Sequence, residues 1–217
     1  MARIPDLTGS LVVAVKFTYR QIVLLASLSL AFSLLSVLLV PAGAAVLALF
    51  ETIRTVPEDH RSDLARLKSY FRSVRRNLVS GLPLSVLLVV PPLATLLYFD
   101  LALARLSGYL FLAGLLCAYL SLVAFFLVFR VANVRSLDRG LGTKAAFRRA
   151  LDVSSAHPHF AVLHSCLVVA AATLTVVLPP FVFLLFPGFV AVLEIVMYEE
   201  AAETEESPLR KYLSTTP

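Results

Sequence analysis

Ionisable side chains set inside apolar stretches have the strongest claim to chemistry in this chain, because each costs a few kcal/mol in hydrocarbon unless paired or hydrated. His164 and Glu194 are the two that stand out. A neighbouring carboxylate favours protonated imidazole, so together they could act as a structural clasp or as a proton-linked site. Pro179-Pro180 lies between them in a long apolar stretch, 160–198. Two consecutive prolines remove two backbone donors and break a helix. The stretch therefore reads as a helical hairpin whose antiparallel arms bring residues 164 and 194 to one depth, either as a pair or as two groups that each reach the headgroups alone. Glu51 lies one turn before Arg54 and is expected to pair with it or to snorkel.

Other chemistry finds little footing. His157 and His159 could join His164 around a metal, since histidine is a common ligand. Pro158 between them suits a helix start, however, and no carboxylate is spaced to complete a ligand set. The sequence contains no glycine-rich phosphate loop, G-x-S-x-G or H-E-x-x-H. Cys117 and Cys166 sit in apolar runs without a nearby thiol and read as small buried hydrophobes. No catalytic, cofactor-binding or metal-binding residue is expected, and the reading is not that of an enzyme. The acidic run Glu199, Glu200, Glu203, Glu205 and Glu206 reads as a solvated helix end.

The elements that must position these groups follow from composition. Of the 217 residues 59% are hydrophobic and only 15% charged, with a mean hydropathy of +0.87, well above the roughly 45 to 50% apolar content of soluble domains. The charges come in blocks between long uncharged runs, the pattern of spans and loops. The expected fold is all-α: a polytopic transmembrane helical bundle of three consecutive hairpins, a single membrane domain over 1–217. Its segments are 22–40, 42–56 (a short span or a re-entrant piece), 78–99, 108–131, 160–178 and 181–198, followed by an acidic tail, 199–217. With this arrangement all but Arg105 of the 19 Lys and Arg residues fall on one side, which the positive-inside rule makes cytoplasmic, with both termini. Tyr19, Tyr98, Tyr109 and Tyr198 fall at span ends as an interfacial belt would require, whereas Tyr119 falls in mid-span. The run after Arg20 is too long, and starts too far from Met1, for a cleaved signal peptide.

Two loops carry helical patterns. Leu64, Leu67, Phe71, Val74 and Leu78 recur at helical spacing, with Arg66, Arg72, Arg75 and Arg76 off that stripe. This is expected to be a surface helix whose arginines contact anionic headgroups. A shorter pattern follows Thr143, with Phe147, Ala150 and Leu151 on its apolar side. The net charge of +5 therefore points to anionic lipid rather than nucleic acid, since no basic soluble module is present to bind the latter. Ala26, Ser29, Ser33 and Ser36 form one small-residue face of the first span, a helix-packing seam that would serve the bundle or self-association.

The segment Pro41-Ala42-Gly43-Ala44-Ala45, the basic stretch from Tyr70 to Asn77, and Ala156-His157-Pro158 before a late span together resemble the YesL-like family of prokaryotic integral membrane proteins, a domain of unknown function. The resemblance runs from about Lys16 to Tyr198. It implies an accessory role beside the subunits of a solute transporter, because family members are often found among carbohydrate-uptake genes. A small-solute transporter or channel in its own right is the alternative, encouraged by proline-broken segments at Pro41, Pro91-Pro92 and Pro179-Pro180. The sequence departs from the family pattern in lacking Trp and in carrying Gly43 where a small polar residue is common.

Overall fold

The computed structural model describes residues 7–57, 62–138, 140–156, 162, 165–166, 168–170, 173, 184–201 and 208–215. Eight helices are bounded within them: α1 (Leu7–Arg20), α2 (Ile22–Val37), α3 (Ala42–Thr55), α4 (Asp63–Arg105), α5 (Gly108–Leu137), α6 (Thr143–Ala156), α7 (Phe186–Ala201) and α8 (Pro208–Thr215). The described residues contain no strand. Helices α4 and α5 are long and apolar enough to cross a membrane, and α1 with α2, joined at a 90° bend, would make a third crossing if counted as one broken span.

The 43 residues of α4 reach about 65 Å at 1.5 Å per residue, twice the roughly 30 Å hydrocarbon core. The expected surface helix and the span at 78–99 are thus one continuous element. It runs through Pro83, Pro91 and Pro92 without interruption, so Pro91-Pro92 does not break a span as the transporter alternative supposed. Leu106 closes α4 in the left-handed region (φ 48°), its amide donating to the Ala102 carbonyl. A residue with a Cβ costs roughly 1 kcal/mol there. The chain then reverses into α5.

Burial divides this hairpin into two parts. On α4 the buried residues run from Arg66 to Ser85, with Ala102 near the tip; on α5, apart from Gly114, they run from Ala124 to Val134. Between these limits Val86, Val90, Leu93, Leu96, Leu97, Leu112, Leu115, Leu116, Leu120 and Val123 are exposed. Only the seam between the two helices is closed, by Phe99 against Phe111 and over Gly114, and by a 3.2 Å hydroxyl contact between Thr95 and Ser121. An apolar two-helix finger therefore projects from the bundle.

At its base the core is built around α3, whose residues Ala42 to Phe50 are all buried. The segment 42–56 is therefore no lipid-facing span: its 14 helical residues reach only about 21 Å, enclosed by α2, α4, α5 and α7. Phe129 of α5 joins three elements through ring contacts with Phe32, Phe50 and Phe125. Helix α7 is buried from Val190 to Glu199. Two elements have no counterpart in the hydropathy pattern, α1 and α8. They pack together through Phe17 against Tyr212 and a 2.8 Å bond from Gln21 Nε2 to the Tyr212 hydroxyl.

Candidate functional site: a buried ion-pair network and its neighbouring pockets

The C-terminal turns of α3 and α5 meet α7 and α6 in a connected polar network. Arg130 of α5 donates from Nε to Glu194 Oε1 at 2.9 Å and from Nη1 to Ser154 Oγ of α6 at 2.8 Å. One turn along α5, Asn133 donates from Nδ2 to the Glu194 carbonyl at 3.2 Å and accepts from Arg54 Nη2 of α3 at 2.7 Å. Arg54 also donates to Glu199 at 2.7 Å and to Ser136 Oγ at 2.8 Å. Glu194 and Glu199 are 2% and 3% exposed, so each charge needs its partner at hand. The two guanidinium groups balance the two carboxylates, and the Asn133 amide, which carries both an acceptor and donors, accepts from one strut while donating to the next. Sites of this kind hold helices in fixed register and leave no net buried charge.

A cavity of about 240 Å³ opens beside the Arg130–Glu194 pair. Its walls are Val123, Phe126, Leu127 and Leu151, and its polar end is Arg130, Glu194, Ser154 and Ser165. A second cluster lies between α3 and α4. Glu51 accepts from Arg76 Nη2 at 2.7 Å, from Asn77 Nδ2 at 3.3 Å and from the Ser73 hydroxyl. Among the described residues no three His, Cys, Asp or Glu side chains group as a metal site. His157 and His159 lie outside those residues.

Several sequence expectations are corrected by this geometry. Glu51 pairs with Arg76 rather than with Arg54, because α4 packs alongside α3 and presents Ser73, Arg76 and Asn77 to it. Glu199 is not part of a solvated end but is sealed against Arg54, and Tyr198 beside it is buried. Arg66, expected at the headgroups, is buried and pairs with Asp63 at 3.4 Å. The face that α4 turns inward is Arg66, Tyr70, Ser73, Val74, Asn77 and Gly81, while Leu64, Phe71 and Leu78 of the expected stripe are exposed. Burial raises the Tyr70 phenol above the ordinary tyrosine range. Arg72, Arg75 and Arg76 are exposed. Cys117 is half-buried and Cys166 exposed, both free. His164 lies outside the described residues, and Glu194 is engaged by Arg130.

Of the seam, Ser29 is fully buried, whereas Ala26, Ser33 and Ser36 are half-buried. Ser29 Oγ accepts the Gly188 amide at 2.9 Å, one of the N-terminal donors of α7 that have no partner within their own helix. Replacing Ser29 by alanine orphans that donor and is expected to cost about 1 to 3 kcal/mol. Chemical or detergent unfolding of the purified variant measures this, and wild-type stability would show that the bond is dispensable.

Arg130 and Asn133 were the residues missed, and Arg54 was read with the wrong partner. Their signal was present: Arg130 interrupts the run Phe125-Phe126-Leu127-Val128-Phe129 and is followed by Val131 and Ala132, an unusual place for an unpaired charge. Comparison with known proteins adds a coarse placement. No curated protein and no solved structure matches the chain. A family model described as a protein of unknown function, DUF624, matches residues 22–101; that stretch contains α2, α3 and most of α4, with Glu51, Arg54 and Arg76, and stops short of Arg130 and Glu194.

Proposed function

We propose that this chain is an integral component of a prokaryotic cytoplasmic membrane that works by association rather than by catalysis, as the accessory partner of a solute transport system. The observation that carries the reading is the α4/α5 finger, whose apolar side chains face outward between residues 86 and 123. Such a surface is stable in lipid or against other apolar helices. The resemblance to the YesL-like family supports carbohydrate as the solute class. Exposed Arg72, Arg75 and Arg76 at the other end of the hairpin suit the cytoplasmic face, where the termini belong in the same reading.

Two measurements test it. Reporter fusions within residues 61–69 are expected to read cytoplasmic and a fusion near Arg105 external; an external reading at 61–69 overturns the topology. After mild detergent extraction, a permease subunit is expected to copurify in stoichiometric amount. Recovery of the chain as a lone homo-oligomer would instead favour a small-solute transporter in its own right. The apolar-walled cavity ending in Arg130 and Glu194 favours that second reading.

A further inference from the structure

We propose that the polar pocket between α3 and α4 binds a phosphate ester whose substituent carries hydroxyl or amino groups. The cavity holds about 210 Å³, below the roughly 300 to 1,000 Å³ of sites for drug-sized ligands, so its occupant is small. Its lining comes from the last turns of α3 and from one face of α4, where Ser69, Arg72, Ser73 and Arg76 fall at i, i+3, i+4 and i+7. Among the described residues no aromatic or aliphatic side chain lines it.

The two walls differ in polarity. Thr52 and Thr55 on α3 have each given their hydroxyl proton to their own helix, to the Ala48 and Thr52 carbonyls at 2.8 Å, so they present lone pairs to the cavity. Glu51 adds carboxylate oxygens beside them. The α4 wall presents donors. Arg76 is held at the pocket by its 2.7 Å bond to Glu51 and keeps other N–H groups of its fork for a ligand. Arg72 stands exposed on the pocket lining with Ser69.

Charge points the same way. Among the described lining residues Arg72 and Arg76 outnumber Glu51, and Arg135 of α5 lies within electrostatic reach of that carboxylate. Arginine forks suit phosphate oxygens bidentately. A phosphate therefore belongs on the α4 wall, with the hydroxyl or amine it carries donating to the α3 wall. The same chemistry is offered by a lipid headgroup such as phosphoglycerol and by a soluble phosphate ester. Arg75, exposed on the same helix, does not line the cavity, which separates a built site from diffuse attraction to an anionic surface.

The test uses the purified full-length chain in neutral detergent, with native mass spectrometry of added phosphatidylglycerol or phosphatidylcholine and with glycerol phosphate or inorganic phosphate as competitor. Phosphatidylglycerol is expected to bind and to be displaced by glycerol phosphate more readily than by inorganic phosphate. Arg72→Gln should weaken binding roughly tenfold or more, the loss of a hydrogen bond between charged groups, while Arg75→Gln leaves it little changed. Ser69→Ala keeps the charge and should still weaken binding. Glycerol phosphate binding that persists without lipid identifies a soluble ester as the ligand, and binding of the lipid alone identifies a headgroup. Equal losses from Arg72→Gln and Arg75→Gln, or no binding of either ester, overturn the proposal. The pocket stands apart from the transport reading, since a chain that captures no permease but binds the ester leaves it intact.

Discussion

Replacing Arg130 by leucine is expected to destabilise the folded chain by about 3 to 5 kcal/mol, because it leaves the Glu194 carboxylate, only 2% exposed, without its Arg130 partner. Glu194→Leu should cost a similar amount by stranding Arg130, which is 9% exposed at its side chain and has Ser154 as its other bond. The double variant is the informative one. It removes both charges, and leucines of comparable volume can pack among Phe126, Leu127 and Leu151 around the same cavity. Its loss should therefore be far smaller than the sum of the two single losses, a strongly non-additive cycle. Unfolding in a denaturing detergent, followed by helical signal, measures all three. Additive losses would mean that each group is held by solvent or by other partners, and would undo the reading of the network as a mutual clasp. Carrying His164→Leu through the same cycle asks whether the histidine couples to Glu194 as the sequence suggested.

The apolar finger and its reversal were legible in the sequence because hydropathy is a local property. A run of lipid-compatible side chains on each side of Arg105-Leu106-Ser107-Gly108 needs no tertiary knowledge to be read as two helices. The inward face of α4 was not legible for the opposite reason. Arg66, Ser73 and Asn77 look like a solvated face by composition, and only the arrival of α3, with Glu51 and the Val56 carbonyl, makes them the buried one. Glu194 was singled out as an expensive group and is 2% exposed, but its arginine was counted with the basic block at a span end. An arginine in that position is normally interfacial, and its burial depends on α6 and α7 closing over it. Ala44 and Ala48, one turn apart on α3, have the small-residue spacing of a close helix approach, and both are fully buried. The partner of that approach could not be read, because spacing within one helix says nothing about which helix it meets.

That partner is α4, and the approach sets the second large effect: Gly43→Ala is expected to destabilise by about 3 kcal/mol, the upper part of the range for overpacking a filled core. A Cβ built on Gly43 would lie 2.2 Å from the Gly81 carbonyl oxygen and 2.5 Å from the Ser85 nitrogen. Both are backbone atoms, so no rotamer change can make room and the helices themselves must part. Parting them also loosens the 2.8 Å bond from the Gly43 amide to Ser85 Oγ, which in turn donates to the Val40 carbonyl at 2.7 Å. These two bonds hold the turn between α2 and α3 against α4, which is why glycine occupies a place where the resemblance leads one to expect a small polar side chain. Ser85 supplies that hydroxyl from across the interface. Gly81→Ala meets Ala44 N at 2.5 Å and should cost a similar amount, but the double variant should cost less than the sum, since one separation of the helices relieves both clashes. Gly108→Ala is the control. Nothing lies within 4 Å of its built Cβ, and at the start of α5 the change should be neutral or stabilising by up to about 1 kcal/mol. The same denaturing-detergent titration ranks the four variants against the wild type; a Gly43→Ala chain as stable as the wild type would show that α3 and α4 do not cross in backbone contact.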